Sequence, residues 1–203
     1  MAKKAAIFIS GRGSNMESLL IKSREENLPV EFIVVSDNPQ AEGLKKAENL
    51  NVKTEIIGKC SEGWRLTSEN VEIIEKIIKD NSITLVLLAG FMRIIPTELI
   101  SKYPLLFVNI HPSLLPSFKG KHAQKDAFDY GAKVSGCTVH FIDAGIDTGP
   151  IIIQRAIDIS QAKTADEVKS LILKEEHTAY FDALKLLLSK KFIIEGRKVR
   201  FDS

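Results

Sequence analysis

Leu85-Val86-Leu87-Leu88 is apolar at four consecutive positions, and that continuity decides the fold class. A strand with one wet face alternates apolar and polar residues, whereas a strand covered on both faces of a parallel sheet has no wet side to mark. Similar short apolar runs stand at Ala5 to Ile9, Glu31 to Val35, Thr54 to Ile57 and Phe107 to Ile110, with room for a helix between successive runs. Val71, Ile74, Ile77 and Ile78 recur at helical spacing in one of those intervals. The series reads as repeated strand-helix-strand units, which predicts an α/β fold doubly wound around a mostly parallel sheet.

Beyond Leu88 the pattern changes. Gly, Pro and Asn become frequent between Gly90 and Pro150, and later strands are predicted at Cys137 to Phe141 and Ile151 to Ile157. Chemistry is expected in this half, because loops at strand ends carry functional groups on a rigid frame. Thr164-Ala165-Asp166-Glu167 has the Thr-x-x-Glu form of a capping box and opens a long helix to about Leu188. Phe192 to Phe201, with Gly196 at the turn, predicts a terminal hairpin.

The chain has 203 residues, 44% of them hydrophobic, enough for one substantial core. One domain over 1–203 is expected, its halves, about 1–88 and about 89–203, having different roles. Lys and Arg number 28 against 26 Asp and Glu, a net charge of +2. No run of one sign concentrates that charge, so neither a nucleic-acid nor a membrane partner is implied, and a small anionic ligand needs a local site. Cys60 and Cys137 form no Cys-x-x-Cys pair and read as buried hydrophobes in a reducing, cytoplasmic compartment. No apolar stretch approaches the ~20 residues of a membrane span. A soluble monomer or homodimer acting on small molecules is expected.

Ile7-Phe8-Ile9 runs into Ser10-Gly11-Arg12-Gly13-Ser14-Asn15 and then a helix around Met16 to Lys22. Amides at a helix start carry partial positive charge, and glycines let an anion approach them. Met16 occupies the third glycine position of a dinucleotide fingerprint, which favours a single phosphate over a pyrophosphate, although Asp37 at the end of the second strand keeps a dehydrogenase reading open. A tight turn without any ligand is the other open reading.

Asn109 and His111 stand two residues apart at the end of an apolar strand and therefore project from one face. A carboxamide and an imidazole side by side can clamp an oxyanion and move a proton, or they can simply bond the backbone of the loop before Pro112. Asp147, in the acid- and glycine-bearing segment from Asp143 to Pro150, can return to pair with His111. His140, within a strand, reads as structural. The four histidines lack metal-ligand spacing, and nothing marks Cys137 as an activated nucleophile. Glu176 falls on the stripe Val168, Ile172, Ala179, Ala183, either at its solvated edge or facing a cationic partner.

Ser10 to Asn15, Ala89-Gly90-Phe91-Met92-Arg93-Ile94, Asn109 to Pro116 and Asp147-Thr148-Gly149-Pro150 together resemble the folate-dependent formyltransferase family, in its branch that accepts glycinamide ribonucleotide. Order and spacing match over nearly the whole chain. The resemblance implies a Rossmann-like formyltransferase fold that uses 10-formyltetrahydrofolate as co-substrate, without a metal, to formylate the amine of glycinamide ribonucleotide in de novo purine biosynthesis. It implies that Gly13, Ser14 and Asn15 bind the acceptor's phosphate region and Glu176 its glycinamide portion. Met92, Arg93, Ile94 and Ile95, with Asn109, Asp143, Ala144, Gly145, Ile146 and Asp147, are implied to enclose the folate, and Arg65 to add a contact. Asn109 and His111 are implied to stabilise an oxyanion, with Asp147 orienting His111 and relaying a proton. The chain departs from the family's usual Pro-Gly-x-His-x-His-like loop at Phe118-Lys119-Gly120-Lys121-His122-Ala123-Gln124, which bears on loop ordering and affinity.

The same catalytic set is shared with formyltransferases for methionyl-tRNA or sugar nucleotides, and with a deformylase. The first normally carries an additional C-terminal domain and the deformylase an N-terminal one. A noncatalytic nucleotide-binding module or a dehydrogenase explains the glycine turn but leaves Asn109, His111 and Asp147 unemployed.

Overall fold

Continuous burial produces the strands of the first part of the chain. The computed structural model describes residues 2–58 and 63–202, and the chain divides into two compact units, Met1–Val108 and Asn109–Ser203. In the first, β1 (Lys3–Ile9) has no exposed side chain from Ala5 to Ile9. It lies between β2 (Val30–Ser36) and β4 (Leu85–Leu88), and β2 also pairs with β3 (Lys53–Ile56), all parallel. Parallel neighbours need crossovers of a dozen or so residues, and α1 (Ser14–Glu25), α2 (Glu42–Asn49) and α3 (Ser68–Asp80) lie in those connections.

Ile74, Ile77 and Ile78 of α3 are buried as their spacing predicts. The helix starts at Thr67, whose Oγ1 accepts the Asn70 amide at 3.2 Å while Asn70 Oδ1 accepts the Thr67 amide at 2.9 Å. Asn70 Nδ2 then donates to the Ile57 carbonyl at 2.7 Å, tying the helix start to the end of β3. After β4 come α4 (Thr97–Lys102) and β5 (Phe107–His111), which carries the chain into the second unit.

The second unit holds α5 (Ala123–Asp129), the antiparallel pair β6 (Val134–Phe141) and β7 (Ile151–Asp158), and α6 (Ala165–Ser189). The segment joining β6 to β7 is too short for a helical crossover, which forces the antiparallel sense. Parallel pairings still predominate within the units, and the chain is an α/β protein with a mostly parallel sheet. Thr164 caps α6 by accepting the Glu167 amide at 3.1 Å, but the Glu167 carboxylate takes the Lys163 amide rather than that of Thr164, so half of the predicted box forms. The hairpin β8 (Phe192–Glu195) and β9 (Lys198–Phe201) turns at Gly196, whose φ of 62° suits glycine. Phe192 anchors it, its ring 5.3 Å from that of Phe141.

Cys137 is fully buried, and burial, with Glu176 and Glu175 adding to it, pushes its thiol up to about 12. Cys60 lies outside the described residues. Among those described, no helix is long and apolar enough to cross a membrane.

Gly136 of β6 has no room for a side chain, because a Cβ there would stand 1.9 Å from the Arg155 carbonyl oxygen of β7. Backbone on the paired strand cannot yield as a side chain would. Gly136→Ala is expected to cost about 2 kcal/mol or more, measured by urea unfolding. A variant as stable as the parent would show that the β6–β7 pairing differs from this register.

Candidate active site

The second unit gathers Asn109, His111, His140 and Asp147. Asn109 and His111 sit at the end of β5 on one face, and His111 is only 4% exposed. His111 Nε2 lies 2.9 Å from the Phe118 carbonyl oxygen. A carbonyl can only accept, so this nitrogen carries a hydrogen. His111 Nδ1 lies 3.4 Å from Asp147 Oδ2, and both ring nitrogens therefore face oxygen acceptors. Asp147 Oδ2 also accepts the Gly120 amide at 2.9 Å, which fixes the carboxylate in place. Phe118 and Asp147, which supply the two acceptors, both have left-handed backbone, with φ of 49° and 50°. Strain of this kind in non-glycine residues persists where the surrounding structure holds it.

His140 belongs to the same cluster. Its Nδ1 lies 2.9 Å from the Phe141 carbonyl oxygen and so carries the hydrogen, leaving Nε2 as acceptor for the Asn109 amide at 3.4 Å. Asp147 Oδ1 is 3.8 Å from the same Nε2. Burial holds the imidazole below its usual 6.5, against the raising influence of the Phe141 carbonyl and of Asp147. The β6–β7 register shifts between Val139 and His140, where His140 pairs with Ile151 instead of Ile152. Such a bulge re-aims side chains at strand ends.

The loop after β5 is clamped from β6 and β7. Thr138 Oγ1 donates to the Ser113 carbonyl at 2.7 Å and accepts the Leu115 amide at 3.0 Å. Gln154 Nε2 reaches the Leu115 carbonyl at 2.9 Å. The other loop is tied by Asp143 Oδ1, which accepts the Thr148 hydroxyl at 2.6 Å and the Gly145 amide at 3.1 Å. Gly149 must be glycine, since a Cβ would stand 1.8 Å from the Phe141 carbonyl oxygen. Ala144, Gly145 and Ile146 form its exposed tip. Glu176 is buried on α6, 7% exposed, so the solvated-edge reading does not hold.

The structure thus unites Asn109, His111 and Asp147, and adds His140, which the sequence reading set aside. The available signal is that Thr138 and His140 stand two residues apart as polar residues between the apolar Cys137, Val139 and Phe141, and so share one face.

In the first unit, the glycine turn leads into α1, with Gly13 as N-cap at φ 67° and no side-chain cap. A Cβ on Gly13 would meet Gly43 Cα and Met16 Cε at 2.9 Å, so the packing of α1 on α2 by itself requires this glycine. At Gly11, by contrast, a Cβ would meet nothing within 4 Å, and the turn stays open on that side. Ser14 and Asn15 occupy the first turn of α1. Asp37 Oδ2 pairs with Arg93 Nε at 2.5 Å, and Arg93 also donates to the Gly63 carbonyl. Arg65 is exposed and forms an isolated parallel bridge with Ile94. Met92 is 59% and Ile94 39% exposed, whereas Ile95 is buried. Among the described residues no group of three or more His, Cys, Asp or Glu is placed to hold a metal ion.

Residues 3–184 match the family described as formyl transferase. The chain is 40% identical over 187 residues to phosphoribosylglycinamide formyltransferase of Bacillus subtilis, covering 92% of this chain and 95% of that one. It is 37% identical to the trifunctional purine biosynthetic protein adenosine-3 of Gallus gallus, spanning only 18% of that protein's length and 92% of its own. Glycinamide ribonucleotide transformylase 1 of Symbiobacterium toebii superposes with a TM-score of 0.91 at 35% identity, over 99% of this chain and 94% of that one.

A buried, neutral His140 links stability to pH. Its folded value lies below the unfolded 6.5, so the stability it contributes is complete above about 6.5 and is lost as pH falls through the folded value. His140→Gln is expected to flatten the acid-side loss of melting temperature between neutral pH and 5, read by circular dichroism. An unchanged slope would mean that burial does not hold His140 neutral in the folded protein.

Proposed function

The chain belongs to the formyl transferase family, and from that premise we propose that it transfers a formyl group from 10-formyltetrahydrofolate to the amine of glycinamide ribonucleotide, a step of purine biosynthesis. One observation carries the reading of the chemistry: His111, whose two ring nitrogens both face oxygen acceptors, shares the end of β5 with the Asn109 carboxamide and has Asp147 behind it. The likeness to phosphoribosylglycinamide formyltransferase over nearly its whole length supports the acceptor.

The neutral amine attacks the formyl carbon, a C–N bond forms, and the carbonyl oxygen becomes an oxyanion. The amine's proton passes to the folate nitrogen as the C–N bond to the donor breaks. No covalent enzyme intermediate is needed, only positioning, donors for the oxyanion and a proton path. Asn109 and His111 are the donors in this scheme. Asp147, held by the Gly120 amide, faces Nδ1 of His111 and orients the ring. The Phe118 carbonyl takes the place on Nε2 that the reacting oxygen would need, so transfer requires that carbonyl to give way.

For the acceptor, Gly13, Ser14 and Asn15 would present helix-start amides to the phosphate, and Glu176 would attract the glycinamide end. For the donor, Arg65, Met92, Arg93, Ile94 and Ile95 are proposed contacts, and so are Asn109 and residues 143–147. A dehydrogenase reading would assign Asp37 to a ribose, but its Oδ2 is committed to Arg93.

Transfer is tested by offering the ribonucleotide, water alone and methionyl-tRNA to the protein loaded with the formyl donor. Product is expected with the ribonucleotide only; formate release at a similar rate with water alone would overturn the acceptor. In single-turnover assays His111→Ala and Asp147→Ala are each expected to slow by about a hundredfold or more, and Asn109→Ala to be slow as well. The His111/Asp147 double variant should be little worse than the poorer single one. A folded His111→Ala protein near the parent rate, or losses that multiply, would remove the proposed unit.

A further inference from the structure

We propose that Ser10 couples the two substrate sites: its hydroxyl joins the turn assigned to the acceptor's phosphate to the segment assigned to the donor, so that binding at either tightens the other. The inference rests on the assignments proposed above for residues 13–15 and 92–95, and it concerns the first unit alone.

Ser10 directly follows β1 and immediately precedes Gly11. Three of its groups are engaged by two segments, the one from Gly90 to Met92 and the one that carries Asn38. Its amide donates to the Gly90 carbonyl at 3.2 Å, its carbonyl accepts Asn38 Nδ2 at 3.2 Å, and its Oγ accepts the Met92 amide at 2.8 Å. The amide and hydroxyl bonds bracket Gly90 to Met92, so the position of residue 10 fixes where that segment begins. Further along, the same segment is held by Arg93 on Asp37 and the Gly63 carbonyl, and by the Ile94 amide on the Trp64 carbonyl at 2.9 Å. On the other side of Ser10, the Gly11 carbonyl accepts the Gly43 amide at 3.0 Å, which roots the turn on α2.

The Met92 amide bond to Ser10 is exposed to water. Losing it therefore leaves no buried unpaired donor, and the fold should survive while the segment loosens. An anion seated on the turn orders residues 11–15 and with them Ser10. The Met92 amide is then held before the donor arrives, and the donor meets an already ordered segment. Linkage makes the effect equal in both directions.

The experiment measures dissociation constants of glycinamide ribonucleotide and of a non-reactive folate analogue, each alone and in the presence of the other, for the parent, Ser10→Ala and Ser10→Thr. The parent is expected to show tightening of about fivefold or more, equal for both ligands. Ser10→Ala should bind each ligand alone but lose the tightening, and Ser10→Thr, which keeps the hydroxyl, should restore it. Hydrogen exchange supplies a readout that a merely structural role would not move. The ribonucleotide alone should slow exchange at the Met92 amide in the parent and not in Ser10→Ala. Independent binding in the parent, or coupling that survives Ser10→Ala, overturns the inference while leaving the assignments intact. Failure of either ligand to bind the parent at all would overturn those assignments, and the inference with them.

Discussion

A buried imidazole has two nitrogens to satisfy, and much of the second unit is arranged around how His111 satisfies its pair. Nε2 takes the Phe118 carbonyl and Nδ1 faces Asp147. Neither partner is near His111 in sequence on a regular element, so each must be held by other contacts. Thr138 and Gln154 clamp the loop that delivers Phe118, and Asp143 braces the loop that delivers Asp147. The Gly120 amide then joins the two loops through the Asp147 carboxylate. A half-satisfied polar cluster in so dry a place would cost more than an apolar one. That is why the supporting hydroxyl and amides are as necessary as the groups they support.

The same reasoning assigns His140 and Asn109 a shared geometry. Asn109 can turn its carboxamide either way unless a neighbour distinguishes donor from acceptor. His140 does so, because the Phe141 carbonyl claims the hydrogen on Nδ1 and leaves Nε2 able only to accept. The amide hydrogens of Asn109 are therefore aimed by a residue that stands on another strand and never meets the reacting atoms in the proposed mechanism. The bulge at Val139/His140 is the backbone feature that brings this ring to the right height.

Sequence carried the fold well, because burial on both faces leaves a signature in each strand separately. Leu85–Leu88 needs no partner to be recognised, and the hairpin around Gly196 follows from ten consecutive residues. Asn109 and His111 were legible by alternation. What stayed hidden depends on remote pairings: Arg93 claiming Asp37, Thr138 holding residue 115, His140 reaching Asn109. The glycine turn shows the limit from the other side. Gly13 invited a phosphate reading, yet the approach of Gly43 is a sufficient reason for it. Within that turn, packing does not explain the smallness of Gly11, which has open space around it.

Phe118 and Asp147 share one further property, left-handed backbone. Each such residue costs of the order of 1–3 kcal/mol unless glycine occupies it, and here the strain is spent on the two acceptors of a single imidazole. The two are not equivalent in chemistry. Asp147 offers a charge that remains useful when the ring donates to something else, whereas the Phe118 carbonyl occupies the nitrogen from which that donation must come. The strain at residue 118 therefore favours release of the loop, and relief of it offsets part of the lost hydrogen bond. At residue 147 the Gly120 amide and the proximity of His111 oppose release. The arrangement is thus asymmetric: the charged acceptor is held by bonds that persist as long as residue 120 stays, and the neutral one is the easier to displace.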